Sequence, residues 1–325
     1  MIIYSIIILI SVIFYLYLRK KKALLLDNEH CLITGGSSGI GLAMAIQAAK
    51  AGANVTIIAR SKERLESAKE QISLVTKNSN QVVLSFSEDI SKDESNLRYI
   101  VEKAETQAGP ITMLINCAGT SICHRFEDTS TQDFNNMLNV NFIGSVNMTK
   151  AVLPLMKSRK NGHIVFVSSL AGLIGLYGYT AYSGSKFAHV GLAECLQMEV
   201  RPYNIGVTVS FPPDTDTPGF AEEVKDKPIE TIQISESGGL FSAEEVATKT
   251  LQDVMNNKFM STVGFEGWML CMLCSGATPV NSYLDLIIQV LTMGLFRIVL
   301  FVYMKQFEWT IQKCAEEKER KDKKN

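Results

Sequence analysis

The chain has 325 residues, 46% of them hydrophobic and 20% charged, with 32 basic side chains against 33 acidic ones. That composition excludes a disordered chain, and a net charge of −1 gives no global attraction to nucleic acid. Seven scattered cysteines exclude the disulfide framework of a small secreted domain, and four histidines without ligand spacing give no reason to expect a metal.

Residues 1–18 carry no charged side chain. As a helix they would extend roughly 27 Å, so a transmembrane anchor is expected there. Arg19, Lys20, Lys21 and Lys22 follow and open a basic linker over 19–29, which places the bulk of the chain on the cytosolic side. A cleaved signal peptide would instead put its positive charge before the apolar run and a small-x-small site after it.

From residue 30 the pattern alternates. His30–Thr34 is a short apolar run ending at glycines, 40–51 has helical character, Asn54–Ala59 is β-rich, and 62–77 reads as an amphipathic helix. Short β-rich runs recur at 81–86, 111–116, 163–168 and 205–211, separated by helical segments. Apolar strands alternating with helices predict an α/β fold, a doubly wound parallel sheet of Rossmann-like type, over a catalytic domain spanning 30–265. In such a sheet ligands bind at the carboxyl ends of the strands.

The stretch 266–304 is expected to be a membrane-associated hydrophobic region. Residues 284–303 are long enough to span a bilayer, but they include Asp285, Gln289 and Arg297, so an interfacial or hairpin-like contact competes with a clean span. The apolar run 268–277 is too short to span alone, and its Cys271-x-x-Cys274 pair is expected to pack rather than to bind metal. The charged tail 305–325 includes Lys321 and Lys323 at dilysine spacing from the end.

Two motifs carry chemistry. Thr34-Gly-Gly-Ser-Ser-Gly-Ile-Gly41 lies between the first strand and the first helix. Its glycines Gly35, Gly39 and Gly41, with Ser37, Ser38 and Ile40, are expected to bring backbone N–H groups and a helix N-terminus to a pyrophosphate. The second strand ends at Arg60, where an enzyme for NAD would carry an acidic residue. Arg60, with Arg64 a helical turn on and Ser37 nearby, is expected to pair with a 2′-phosphate, which points to NADPH. Tyr182-x-x-x-Lys186 puts a phenol and an ammonium on one helix face, where the charge is expected to make the phenol more acidic.

The glycine turn, Asn116-Cys-Ala-Gly119, Asn141, Ser169, Tyr182 and Lys186 together resemble the short-chain dehydrogenase/reductase family, in its order and spacing, over most of residues 30–265. The resemblance implies hydride transfer between a nicotinamide and a carbonyl carbon. Tyr182 would be the general acid and Ser169 would hold the carbonyl oxygen, with Ser168 the less favoured candidate. Lys186 would tune Tyr182 and hold the nicotinamide ribose. Asn141 would support a water in the proton relay, Asp89 would contact adenine, Asn116 would lie beside the cofactor and Thr217 would keep its place in the nicotinamide loop. Where the family has Pro-Gly after the sixth strand, this chain has Pro212-Pro213 followed by Asp214.

An anchored enzyme suits a substrate that partitions into the bilayer. The implied partner is a long-chain lipid ketone, gripped by apolar residues after Pro213, with the enzyme in the endoplasmic reticulum membrane and its catalytic domain facing the cytosol. Reduction of a steroid or retinoid and a non-catalytic scaffold of the same fold are the alternatives, and a homo-oligomer is compatible with the sequence.

Overall fold

The computed structural model describes residues 26–92, 94–235 and 238–323. The expected anchor at 1–18 and most of the linker at 19–29 lie outside the described residues. Seven strands form one sheet in the order β3-β2-β1-β4-β5-β6-β9, every pair parallel. They are β1 (His30–Thr34), β2 (Asn54–Ala59), β3 (Val83–Ser87), β4 (Met113–Asn116), β5 (Gly162–Val167), β6 (Ile205–Phe211) and β9 (Met260–Thr262). β7 (Thr215–Asp216) and β8 (Phe241–Ser242) make a separate two-stranded ribbon. Three of the strands expected from sequence, at 30–34, 54–59 and 205–211, have the bounds observed. β9 was not anticipated, because three residues give no alternation to read.

β1 and β5 are buried along their whole length, as their continuous apolar runs require of a sheet covered on both faces. Each face has its own core. On one side α3 (Glu94–Ala108), α5 (Gly144–Arg159) and α6 (Thr180–Val200) supply Val101, Met148 and Ala193. On the other, α1 (Gly39–Lys50), α2 (Lys62–Ser73) and α9 (Ala243–Met255) supply Met44, Leu65 and Leu251. Strand order reverses between β1 and β4, whose ends are in register at Thr34 and Asn116. A ligand crevice opens at such a switch point. The Thr34 hydroxyl accepts from the amides of Cys117 and Ala118, both at 3.1 Å, which fixes the two strand ends together.

The smaller helices are α4 (Thr131–Met137), which runs into a π-helical turn at Leu138–Ile143, then α7 (Pro218–Glu223), α8 (Ile229–Ser235) and α10 (Gly264–Leu273). α10 runs across residue 265, where the catalytic domain is expected to end. Leu270 and Cys271 join the main core, so part of the apolar run at 268–277 covers the β9 side of the sheet. The boundary at 304/305 is crossed as well, because a single helix, α11 (Tyr283–Asp322), runs through both segments. Its 40 residues extend for about 60 Å. One stripe, including Phe296, Leu300, Tyr303, Phe307 and Cys314, is buried or half-buried, while Val290, Leu291, Leu295, Ile298 and Phe301 stay exposed. Phe296 packs edge-on against Trp268 and Phe265 of α10, at 5.4 and 6.5 Å between ring centroids. Within the described residues, this is the one helix long and apolar enough to cross a membrane.

Two buried histidines tie elements together as neutral rings. His30 links the carbonyl of Gly109 at 2.6 Å to the hydroxyl of Thr56 at 2.8 Å, and burial lowers its pKa. His189 of α6 meets the Ser145 hydroxyl at 3.2 Å, and burial, reinforced by Lys186, lowers its pKa to about 3. In both cases the folded pKa lies below the unfolded one. The stability they contribute is complete above about pH 6.5 and is lost as the pH falls through the window below it, at up to about 1.4 kcal/mol per pH unit for each ring. Denaturant midpoints measured at neutral and mildly acidic pH should therefore fall less steeply with acid in His189→Gln than in wild type.

Candidate active site

The glycine turn joins β1 to α1. Gly35 and Gly39 adopt φ of +69° and +54°, in the left-handed region that a side chain resists. A Cβ on Gly41 would come within 2.3 Å of the Gly35 carbonyl oxygen, so the turn closes only with hydrogen at that position. The turn opens onto a cleft of about 870 Å³ running across the carboxyl ends of the strands. Gly35, Ser37, Ser38, Gly39, Ile40 and Gly41 all line it.

At one end of the cleft lie Arg60, Arg64 and Asp89, brought together from the ends of β2 and β3 and the start of α2. Burial opposes the charge of Asp89, yet the hydroxyl and amide of Ser91, with Lys92 and Arg60 nearby, outweigh it and hold the carboxyl below its usual range. The Ser91 hydroxyl donates to Asp89 at 2.7 Å.

Ser169, Tyr182 and Lys186 converge in the middle of the cleft. Ser169 follows β5 and caps a single 3₁₀ turn, its oxygen accepting from Ala171 N at 3.2 Å, and its hydroxyl is hydrogen-bonded to the Tyr182 phenol. Lys186, one helical turn after Tyr182 on α6, is buried and donates through Nζ to the Val167 carbonyl at 2.9 Å. Its ammonium lies 5.6 Å from the centroid of the Tyr182 ring. Ser168, by contrast, donates to the Lys186 carbonyl at 2.9 Å and so braces the helix against the strand.

The acidity expected of Tyr182 is reversed. Burial pushes its pKa up, and the carboxylates of Glu223 and Asp214 push the same way against the Ser169 hydrogen bond. Burial also lowers Lys186, to about 8. The phenol therefore keeps its proton at neutral pH, which is the form a general acid needs before it protonates a carbonyl oxygen.

Asn141 sits in the π-helical turn, fully buried. Its amide clasps the backbone of Thr120, accepting from the amide at 2.8 Å and donating to the carbonyl at 3.0 Å, and it also donates to Ser185 Oγ at 2.9 Å. It thereby ties the loop after β4 to α6, and its side chain is taken up by protein partners. Asn116 departs from expectation. Its side chain is buried behind the strand end, donating to Thr149 at 3.2 Å, and does not line the cleft. The alternation of a strand sends adjacent side chains to opposite faces, and this one falls on the α5 face.

The loop after β6 accommodates Pro213 without strain. Pro212 offers its carbonyl to Leu170 N at 3.1 Å, and Pro213 offers its own to the Thr215 hydroxyl at 2.8 Å. Thr217 caps α7, accepting from Phe220 N at 3.1 Å, and its methyl lies against Gly39, where an added Cβ would meet it at 3.1 Å. The far wall of the cleft is apolar and comes from remote segments: Ile234 of α8, Met269 and Leu270 of α10, and Leu300, Tyr303 and Phe307 of α11. Sequence reasoning missed these residues, along with Thr120, Ser185 and Tyr179. For the α11 residues the only signal was their helical spacing within an apolar run.

A parallel sheet with a glycine turn at its switch point and a Ser-Tyr-Lys cluster beside it defines a nucleotide-dependent oxidoreductase fold. The model of the short chain dehydrogenase family matches residues 29–228, and the chain belongs to that family. It is an oxidoreductase that uses a nicotinamide cofactor, and the residues present fit one: a glycine turn and helix N-terminus for the pyrophosphate, and a buried ammonium beside the phenol for the ribose and the reacting end.

The chain is 47% identical over 302 residues to a 3-dehydrosphinganine reductase of Danio rerio, covering 93% of this chain and 91% of the relative. To a 3-ketodihydrosphingosine reductase of Bos taurus it is 46% identical over 301 residues, with 93% and 91% covered. Among solved structures, levodione reductase superposes with a TM-score of 0.67 at 24% identity, covering 75% of this chain and 98% of that one, a likeness of fold.

Tyr182→Phe removes the phenolic hydroxyl while keeping the ring. Its turnover should fall by about 10²- to 10⁴-fold, with nucleotide affinity, read by fluorescence titration, close to wild type.

Proposed function

We propose that the chain reduces the keto group of a 3-ketodihydrosphingosine to the alcohol with NADPH, at a membrane surface, as a step of sphingolipid synthesis. The observation that carries this reading is the composition of the cleft. A proton-donating phenol stands at its centre, and the wall leading away from it is built from a long apolar helix. The names of the relatives point to the same sphingoid-base ketone.

The nicotinamide supplies the hydride. The chain's own residues do the rest. Ser169 and Tyr182 hydrogen-bond the carbonyl oxygen and fix its position. As negative charge develops there, Tyr182 gives up its proton, and the Ser169 hydroxyl and the Lys186 ammonium stabilise the phenolate left behind. Asn141 acts at one remove, by holding Thr120 and Ser185 around the lysine. Asp89 faces the adenine end, and the backbone of the 35–41 turn faces the pyrophosphate.

Arg60 and Arg64 support NADPH over NADH, because two exposed guanidiniums at the end of β2 suit a 2′-phosphate where a carboxylate would suit a ribose hydroxyl. The free apolar face of α11 supports membrane contact. Its other face lies against α8 and α10, so the helix rests on the bilayer with the catalytic domain beside it rather than surrounded by lipid. The basic run 19–22 supports a domain facing the cytosol, and the relatives' role in sphingoid-base reduction suits the endoplasmic reticulum membrane.

Purified full-length protein in detergent, given NADPH and 3-ketodihydrosphingosine, should oxidise the nucleotide and yield dihydrosphingosine. Turnover of a steroid or retinoid ketone but not of this one would overturn the reading. Arg60→Glu should raise KM for NADPH about tenfold or more and leave KM for NADH unchanged or lower; an unaltered preference would remove NADPH from the proposal. Leu300→Asp should raise KM for a long-chain ketone much more than for a water-soluble short-chain one, since only the long chain reaches the α11 wall.

A further inference from the structure

This inference rests on the substrate reading above. A 3-ketodihydrosphingosine is an amino ketone: the carbon next to its carbonyl carries a primary amine, protonated at neutral pH. A charge two bonds from the reacting carbon enters the cleft with it and is desolvated there unless it meets a counter-charge. We propose that Asp214 and Glu223 form that counter-charge, an acidic clamp that recognises the substrate ammonium beside Tyr182.

Both carboxylates line the same cleft as Tyr182 and Ser169. Asp214 stands at the carboxyl end of β6, immediately after the Pro212-Pro213 pair that replaces the family's Pro-Gly. Glu223 ends α7, the segment that folds over the cleft. Tyr179, one turn before Tyr182 on α6 with its ring centroid 5.5 Å away, donates its hydroxyl to Glu223 Oε1. Both carboxylates are close enough to Tyr182 to strengthen its hold on its proton.

The cluster is held from behind by Lys227, whose side chain is 2% exposed. Its Nζ lies 3.3 Å from Glu223 Oε1 and 3.6 Å from Asp214 Oδ2, over the rings of Phe220 and Tyr179. Two carboxylates thus share one ammonium, and burial with the nearby Glu223 carboxylate outweighs Lys227 and raises the pKa of Asp214, so a second cation on the cleft side would favour its ionised form. The Glu223 side chain is only 9% exposed, and among the described residues no hydrogen bond reaches its Oε2. A carboxylate oxygen with spare accepting capacity, on a mostly buried side chain in the wall of the cleft, is an arrangement that can take up an ammonium. Lys227 is tethered on the same oxygen that Tyr179 uses, so it sets the position of the clamp and does not fill it. The clamp also couples recognition to chemistry. The arriving ammonium offsets the negative field that adds to burial in keeping the proton on Tyr182, so proton transfer is eased for a substrate that carries the amine.

The test compares kcat/KM for the amino ketone with that for a ketone of equal chain length lacking the amine. In wild type the ratio should be about tenfold or more in favour of the amino ketone, and in Asp214→Asn and Glu223→Gln it should fall toward one. A ratio that stays at the wild-type value in both variants would reduce the cluster to a structural ion pair and overturn the clamp. A second measurement needs no variant: a long-chain alkylammonium should inhibit the wild-type enzyme about tenfold more strongly than the alcohol of equal length, and equal inhibition would also overturn it. Wild type that reduces both ketones with equal kcat/KM leaves the reductase reading standing and sinks the clamp alone. Wild type inert to both sinks the substrate reading, and the clamp with it.

Discussion

The buried hydrogen bond from Lys186 to the Val167 carbonyl is the interaction on which the site depends. An ammonium inside a protein is costly unless its protons are taken up. The carbonyl at the end of β5 takes one, and this pins α6 across the end of the sheet. Tyr182, one turn earlier on the same helix, then stands over the cleft, and the Ser168 hydroxyl braces the same turn from the strand side. Asn141 completes the frame through Thr120 and Ser185. Helix position, phenol position and the path of the loop after β4 follow from one buried charge.

The electrostatics of this frame keep Tyr182 in its protonated form. A phenol can donate only while it keeps its proton, and the groups that stabilise its anion set how readily the proton leaves. Here burial and two carboxylates hold the proton on Tyr182 against the hydrogen bond with Ser169. The low dielectric that disfavours both charges separately favours the pair once the proton has moved.

The cleft joins two kinds of surface. One half is lined by backbone amides, hydroxyls and two guanidiniums. Its other half is lined by α10 and α11, and α11 has a second apolar face turned outward. One helix therefore serves as cleft wall on one side and presents an exposed apolar face on the other.

Much of the architecture was legible in the amino-acid order because it is local. Continuous apolar runs fix buried strands, glycines at 35, 39 and 41 permit a turn that a Cβ would block, and a four-residue interval places Tyr182 and Lys186 on one helix face. What tertiary structure alone decided involves partners far apart in the chain. The turn of Asn116 into the interior depends on Thr149, and the spare capacity of Glu223 depends on Tyr179 and Lys227. The split of the region after 265 into a core helix and a cleft wall depends on how α10 and α11 pack on the sheet. Periodicity tells which face of a helix is apolar, but what that face covers is set by the burial of surfaces brought together only when the chain folds.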